Sequence, residues 1–257
     1  MDTARVKQYF ERIGLPMPQK IVPDAELLQQ LTFHQIISIP FENTQLLNKK
    51  MVPCDVDSLF QLIVIEGKGG ICHDIAGLFG WLLTELGYQV VPVGAIAFDK
   101  ERPMYIHKTQ VVTDCNGGKW LVEIAHALVA ANKLPFRFVL GEDQTRGDEV
   151  FRLEERNNKT CLIGPDDYCS FTMEYWDIPM RLGTRIKEST IQGLDPLGQP
   201  DRVFGIGTPE GRRTLINNTY RESFGDQVYT LECTPEMLPW AYAQFGLRYE
   251  DYAGDTD

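Results

Sequence analysis

Lys68-Gly69-Gly70-Ile71-Cys72-His73-Asp74-Ile75-Ala76-Gly77-Leu78-Phe79-Gly80-Trp81-Leu82-Leu83-Thr84-Glu85-Leu86-Gly87 is the stretch on which the reading of this chain turns. Ile75, Leu78, Phe79, Leu82, Leu83 and Leu86 fall at helical spacing and define one apolar face, and Gly87 supplies a stop. The helix so predicted starts at or next to Cys72, directly after a glycine-rich loop. A helix N-terminus carries unpaired N–H groups and the positive end of the dipole, and both favour a thiolate over a thiol. Gly69 and Gly70 are expected to let backbone approach a substrate closely, and the loop to offer N–H donors to an oxyanion. A buried structural cysteine fits the same local pattern. The rest of the chain must therefore supply the partners a nucleophile needs.

Toward the N-terminus the chain reads as helical. Val6, Tyr9, Phe10 and Ile13 recur at helix spacing, with Asp2 or Thr3 as cap and Gly14 as stop. Asp24 can cap a second helix carrying Leu27, Leu28 and Leu31, and Asp57 or Ser58 can start a third through Leu59, Phe60, Leu62 and Ile63. From Gln89 the pattern turns to strands: Val90 to Phe98, Met104 to Val112 and Trp120 to Val129, with Asp114-Cys115-Asn116-Gly117-Gly118 as a hairpin turn between the last two. Val150 to Leu153, Thr160 to Ile163 and Ser170 to Trp176 add short strands, as a small barrel or curved antiparallel sheet requires. Asp177 to Gly207 is rich in Gly and Pro and reads as a linker or lid. Arg213 to Asn217 and Gln227 to Glu232 read as strands, and Pro235 to Phe245 as a closing helix with Pro in its first turn.

Composition excludes several classes. The chain has 257 residues, 43% hydrophobic and 24% charged, with a net charge of -11. No Lys or Arg cluster offers the cationic face that nucleic acid or an anionic membrane needs. No run approaches the roughly 20 apolar residues of a membrane span. The first residues carry charges of both signs and no apolar signal core, so the expected compartment is the cytoplasm. None of the six cysteines forms a C-x-x-C pair, which argues against a zinc site or a disulfide framework. An anionic small molecule remains compatible, since a helix N-terminus and a few lysines can hold phosphate.

A nucleophilic cysteine needs a base, and the base an orienting group. The four histidines are His34, His73, His107 and His126. His73 adjoins Cys72, where successive helical side chains diverge by roughly 100°, a poor position for a base. His34 lies in the helical third and reads as a surface or capping residue. His107 lies mid-strand, and a rigid strand suits a base. Glu123 interrupts the apolar run Trp120-Leu121-Val122-Glu123-Ile124-Ala125, and a carboxylate buried there needs a partner. Strand alternation puts His107 and Glu123 on one face only if the hairpin loop is odd-numbered or a bulge intervenes. Asp114 is more suited to the turn, and Asp74 lies too near Cys72 in the helix.

These residues resemble a known family. His34-Gln35-Ile36-Ile37-Ser38-Ile39-Pro40-Phe41-Glu42-Asn43 is similar to the signature preceding the active site of arylamine N-acetyltransferases, and Lys68-Gly69-Gly70-Ile71-Cys72 to their Arg-Gly-Gly-x-Cys loop. His107 and Leu121-Val122-Glu123-Ile124 resemble their His strand and the Val-Asp-Val strand after it. Weaker likeness covers Tyr9 to Leu15 and Gln244 to Leu247. The resemblance implies an α+β chain: an N-terminal helical bundle (1–87) carrying the Cys, a central antiparallel β-barrel (88–190) carrying His and acid, and a C-terminal α/β lid (191–257), around a cysteine-protease-like Cys–His–acid core. It implies ping-pong transfer of acetyl from acetyl-CoA through a Cys72 thioester to an arylamine, arylhydrazine or N-hydroxyarylamine. Cys72, His107 and Glu123 would form the triad, and Phe41 and Val93 would line the acceptor pocket. No metal is implied.

The chain departs from the family at Glu123 for Asp, Lys68 for Arg, Asp74 and Ala76 after the cysteine, and Ala125-His126-Ala127 for Gly-Phe-Gly. Two other readings therefore stand beside the leading one. The first is a cysteine hydrolase or amide synthase with another acyl donor. The second is a relative that binds CoA or a metabolite without turnover.

Overall fold

A computed structural model describes residues 1–48, 50, 52–99, 102–125, 133–146, 149–156, 159–164, 171–174, 201–225 and 227–252. The first third is helical: α1 (Thr3–Arg12), α2 (Ala25–Ser38), a short strand β1 (Phe41–Glu42), α3 (Thr44–Leu47), α4 (Val56–Phe60) running into a π turn (Gln61–Ile65), and α5 (Cys72–Glu85). Aspartate side chains accept from backbone N–H groups at three helix starts, Asp2 from Arg5, Asp24 from Leu27 and Asp55 from Ser58. The third helix thus opens one or two residues ahead of the expected Asp57 or Ser58, because Asp55 holds the extended cap conformation. Helix α5 begins on Cys72, and Gly87 follows it at φ +98, a conformation that suits glycine.

The helices bury one face each against a common cluster that includes Tyr9, Phe10, Leu28, Leu31, Leu59, Phe79 and Leu82, and that reaches Val112 and Val122 of the neighbouring sheet. That sheet has eight antiparallel strands. In chain order they are β2 (Gln89–Asp99), β3 (Arg102–Thr113), β4 (Lys119–Val122), β5 (Phe136–Arg137), β6 (Asp143–Arg146), β7 (Glu149–Arg156), β8 (Lys159–Ile163) and β9 (Phe171–Glu174); in space the order is β5-β4-β3-β2-β9-β8-β7-β6. Among the described residues no ladder pairs the end strands β5 and β6, so the expected barrel is not closed by backbone. The Gln144 side chain bridges them instead, accepting from Arg137 N at 2.7 Å and donating to Arg137 O at 2.9 Å.

A second antiparallel sheet orders β1-β10-β11-β12-β13, with β10 (Val203–Gly207), β11 (Gly211–Ile216), β12 (Thr219–Phe224) and β13 (Gln227–Glu232). A 3₁₀ turn (Pro235–Met237) leads into α6 (Leu238–Ala243), which packs Tyr242 on Phe204 with ring centroids 4.7 Å apart. The expected closing helix is thus a 3₁₀ turn and a shorter α-helix. Two further expectations are corrected. The linker assigned to 177–207 ends in strand β10, and β4 stops at Val122 rather than running through Glu123. The remainder of that expected strand from His126 on, the ends of the strand expected over 170–176, and most of the linker lie outside the described residues. Among the described residues no helix is long and apolar enough to cross a membrane.

Candidate active site

Helix α5 sets the sulfur. Ile71 holds the extended N-cap conformation and Cys72 is the first helical residue. Asp74 accepts the Ile71 N–H at 3.2 Å, while Asp74 and Ile75 donate to Ile71 O at 3.0 Å each. Cys72 and His73 therefore contribute the first N–H groups of the helix, the end that favours an anion.

The loop before it is clamped rather than open. Glu42 N donates to Gly70 O at 3.0 Å and Gly70 N to Pro40 O at 3.4 Å, so Phe41 bridges Gly70 in parallel. A Cβ on Gly69 would fall well inside contact distance of Pro40 O and 2.9 Å from Glu42 Cγ, and one on Gly70 would meet Asp74 Cβ at 2.8 Å. These glycines thus admit the Pro40–Glu42 strand and the helix start, a correction to the substrate approach expected of them. From the other side Arg12 donates to Ile63 O, Ser38 O, Gly67 O and Lys68 O at 2.9, 2.8, 3.2 and 3.4 Å. One guanidinium ties α1 to the cysteine loop, the fork geometry that a lysine lacks. The Lys68 ammonium turns to Glu66 at 3.0 Å.

Strand β3 brings His107. The β3–β4 ladder runs from Gln110–Val122 to Thr113–Lys119, leaving Asp114 to Gly118 as an odd-numbered loop. The parity condition is met, and His107 and Glu123 share a face. His107 Nε2 lies 2.8 Å from Glu123 Oε2, and Glu123 Oε1 accepts from Ala125 N at 3.1 Å. Both side chains are buried. Nε2 being committed to Glu123, Nδ1 is the nitrogen left for the hydrogen bond between His107 and Cys72. Asp114 serves the turn: its carboxylate accepts from Asn116 N, Gly118 N and Trp120 Nε1. His34 sits with Nδ1 3.1 Å from Ile13 O, at the end of α1.

The charges sort accordingly. Burial opposes the Cys72 thiolate, but the charge of His73, the hydrogen bond with His107, the contact with His73 and the charge of His107 outweigh it and bring the thiol down to about 5. Burial likewise opposes an imidazolium at His107, yet the Glu123 carboxylate, then Cys72, raise it to about 10. The pair is thus a thiolate–imidazolium at neutral pH, a state ready to attack an acyl group.

Three residues here were not picked out from sequence. His73 Nδ1 lies 3.3 Å from Cys72 Sγ, closer than helical divergence allowed. Lys108 is buried, and burial pushes its ammonium down against the pull of Cys54, Cys72 and Asp74. Asp74, set aside as too near the cysteine, holds the helix start. Of the pocket candidates, Phe41 is half-buried beside Gly70, and Val93 is fully buried with Val111, Phe151 and Leu153. Of Ala125-His126-Ala127 only Ala125, which is buried, falls within the described residues. Among the described residues no group of three or more His, Cys, Asp or Glu is placed to hold a metal ion.

Known proteins are similar to this chain in sequence and fold. Residues 24–175 match the model of the N-acetyltransferase family. Over 254 residues the chain is 30% identical to arylamine N-acetyltransferase 2 of Mus musculus, with 88% of this chain and 87% of that protein covered. The arylamine N-acetyltransferase of Mycobacterium marinum, solved in complex with CoA, matches with TM-score 0.81 and 19% identity over 96% of this chain and 94% of that one. An arylamine N-acetyltransferase of Bacillus cereus, described as having a unique Cys-His-Glu catalytic triad, matches with TM-score 0.80 and 17% identity over 96% and 99%. At such identities the solved structures speak for the fold, and the sequence matches carry the relationship. The chain belongs to the arylamine N-acetyltransferase family, and it is an acetyltransferase.

Proposed function

We propose that this protein transfers acetyl from acetyl-CoA to arylamines, arylhydrazines or N-hydroxyarylamines by a ping-pong reaction through Cys72. The observation that carries the reading is the buried line from Cys72 through His107 to Glu123, with the imidazole 2.8 Å from the carboxylate. The thiolate attacks the thioester carbonyl carbon; the CoA sulfur leaves with the electron pair and takes the proton of the His107 imidazolium. The acceptor amine then attacks the Cys72 thioester, gives its proton to His107 Nδ1, and expels Sγ. Glu123 fixes the tautomer that leaves Nδ1 facing the sulfur and stabilises the imidazolium. The names of the relatives support the acceptor class, the M. marinum complex supports CoA, and the B. cereus triad supports Glu in the acid's place.

In this reading residues 1–87, 88–190 and 191–257 are the helical, sheet and C-terminal units. The acceptor ring lies against Phe41, with Val93 in the wall two pairing steps from Ala95–His107 on β2 and β3. Such apolar surfaces suit a planar aromatic amine.

Intact-mass measurement after exposure to acetyl-CoA tests the assignment. One acetyl adduct is expected on wild type and none on Cys72→Ala, with parallel lines in two-substrate kinetics. No adduct on active protein, or an adduct that survives Cys72→Ala, overturns it. Rapid loss of the adduct to water without amine would instead mark a hydrolase.

A further inference from the structure

The sulfur has two imidazole neighbours, and the reaction proposed above uses one. His73 is 3% exposed, its Nδ1 is 3.3 Å from Cys72 Sγ, and its Nε2 is buried with no hydrogen-bond partner among the described residues. A phenylalanine would fill this position without burying a polar atom, so the ring carries a cost that packing alone does not explain. Its polar contact is the sulfur. A proton on Nδ1 lets the ring donate to the thiolate, whereas a bare Nδ1 would set a lone pair against the negative sulfur.

We propose that His73 is a second catalytic imidazole, an Nδ1–H donor that holds negative charge on Sγ and makes it the better leaving group when the acceptor amine displaces it. The inference rests on the Cys72 reaction proposed above. In that step a C–N bond forms, the C–S bond breaks with its electron pair on Sγ, and the amine proton passes to His107 Nδ1. While His107 is receiving that proton, its Nδ1 cannot also donate to sulfur. His73 transfers no proton and can donate throughout. A thiol of lower pKa leaves faster, and a donor already aimed at the developing charge needs no reorganisation. Arylamines are weak nucleophiles, so the balance between expelling Sγ and expelling the amine matters for the forward step.

Besides His73, the charged groups that act on the sulfur are His107 and Lys108 on β3; Glu123 after β4 holds His107, and Asp74 on α5 and Cys54 before α4 pull on Lys108. None changes in the test. Full-length His73→Phe and His73→Gln lack a donor at the Nδ1 position, whereas the amide of His73→Asn can restore one. Two readouts apply. Iodoacetamide labelling of Cys72 is followed against pH by peptide mass, which separates it from labelling of the exposed Cys115. Single-turnover acetylation by p-nitrophenyl acetate is compared with discharge of the acetyl-enzyme to an aniline.

The labelling midpoint is expected to rise above that of wild type by about one unit or more in Phe and Gln and to return toward wild type in Asn. Discharge should slow about tenfold, with acetylation slowed less. An unmoved midpoint, or equal slowing of both half-reactions, overturns the inference. A variant that fails to fold is recognised by circular dichroism, and the other donor-free variant then carries the comparison. The labelling arm uses no acetyl donor, so its failure is distinct from failure of the Cys72 reaction, which Cys72→Ala reports.

Discussion

At the residue scale, the acid of the proposed triad shows how a glutamate can take the position that the family resemblance gives to aspartate. Glu123 lies just past the end of β4, and its second oxygen returns to Ala125 N. The extra methylene is taken up where the backbone has left the ladder, and the first oxygen still meets His107. Glu123→Gln removes the negative charge and lets an amide N–H face Nε2, which favours the tautomer protonated on the wrong nitrogen. It should leave the fold intact by circular dichroism and lower kcat/KM by roughly 10³- to 10⁴-fold, the scale of losing a triad acid; activity near wild type would remove Glu123 from the mechanism. That Cys72, His107 and Glu123 come together was legible in the sequence because each is a chemically expensive residue in an apolar or glycine-rich setting. His73 was not. Divergence of neighbouring side chains along a helix describes Cα directions, whereas Nδ1 lies close to the backbone and can turn back to an adjacent sulfur.

At the element scale, the cysteine loop is held by strand and helix together. Arg12 gathers carbonyls from the end of α2, the π turn and the loop itself, while Pro40 to Glu42 pair along Gly70. Gly69→Ala would push a methyl group into the Pro40 carbonyl, a backbone atom that cannot swing aside. The cost should be roughly 1–3 kcal/mol, read as a fall in Tm of several degrees. Slower Cys72 labelling at neutral pH should accompany it, because the displaced strand carries the helix start with it. Unchanged Tm and labelling would show that the loop relaxes freely. Helices were legible at this scale because capping aspartates and apolar spacing are local signals. The two-residue β1 carried no alternation to read, and the end of β4 is set by its partner strands.

At the scale of the whole molecule, the C-terminal sheet reaches back to the signature that precedes the cysteine. Strand β10 pairs with β1, and the Asn43 side chain donates to Asp201 O and accepts from Val203 N, both at 2.8 Å. Asn43→Ala would leave the buried Val203 N–H unsatisfied, a loss of roughly 1–3 kcal/mol. Thermal unfolding should register the drop, and Asn43→Asp, which keeps the acceptor, should recover part of it; equal Tm values for all three would refute the tie. By itself the sequence determined the main helices of the first third, the change to strands after Gly87, the cysteine at a helix start, and the residue types of the proposed triad, because periodicity, capping and motif chemistry are local. Only the tertiary structure decided the odd-numbered hairpin that puts His107 and Glu123 on one face, the second imidazole on the sulfur, and the pairing of β1 with both Gly70 and β10. Those are matters of register and contact between distant segments, and the free energy that selects them comes from packing and hydrogen bonds that no short window of sequence contains.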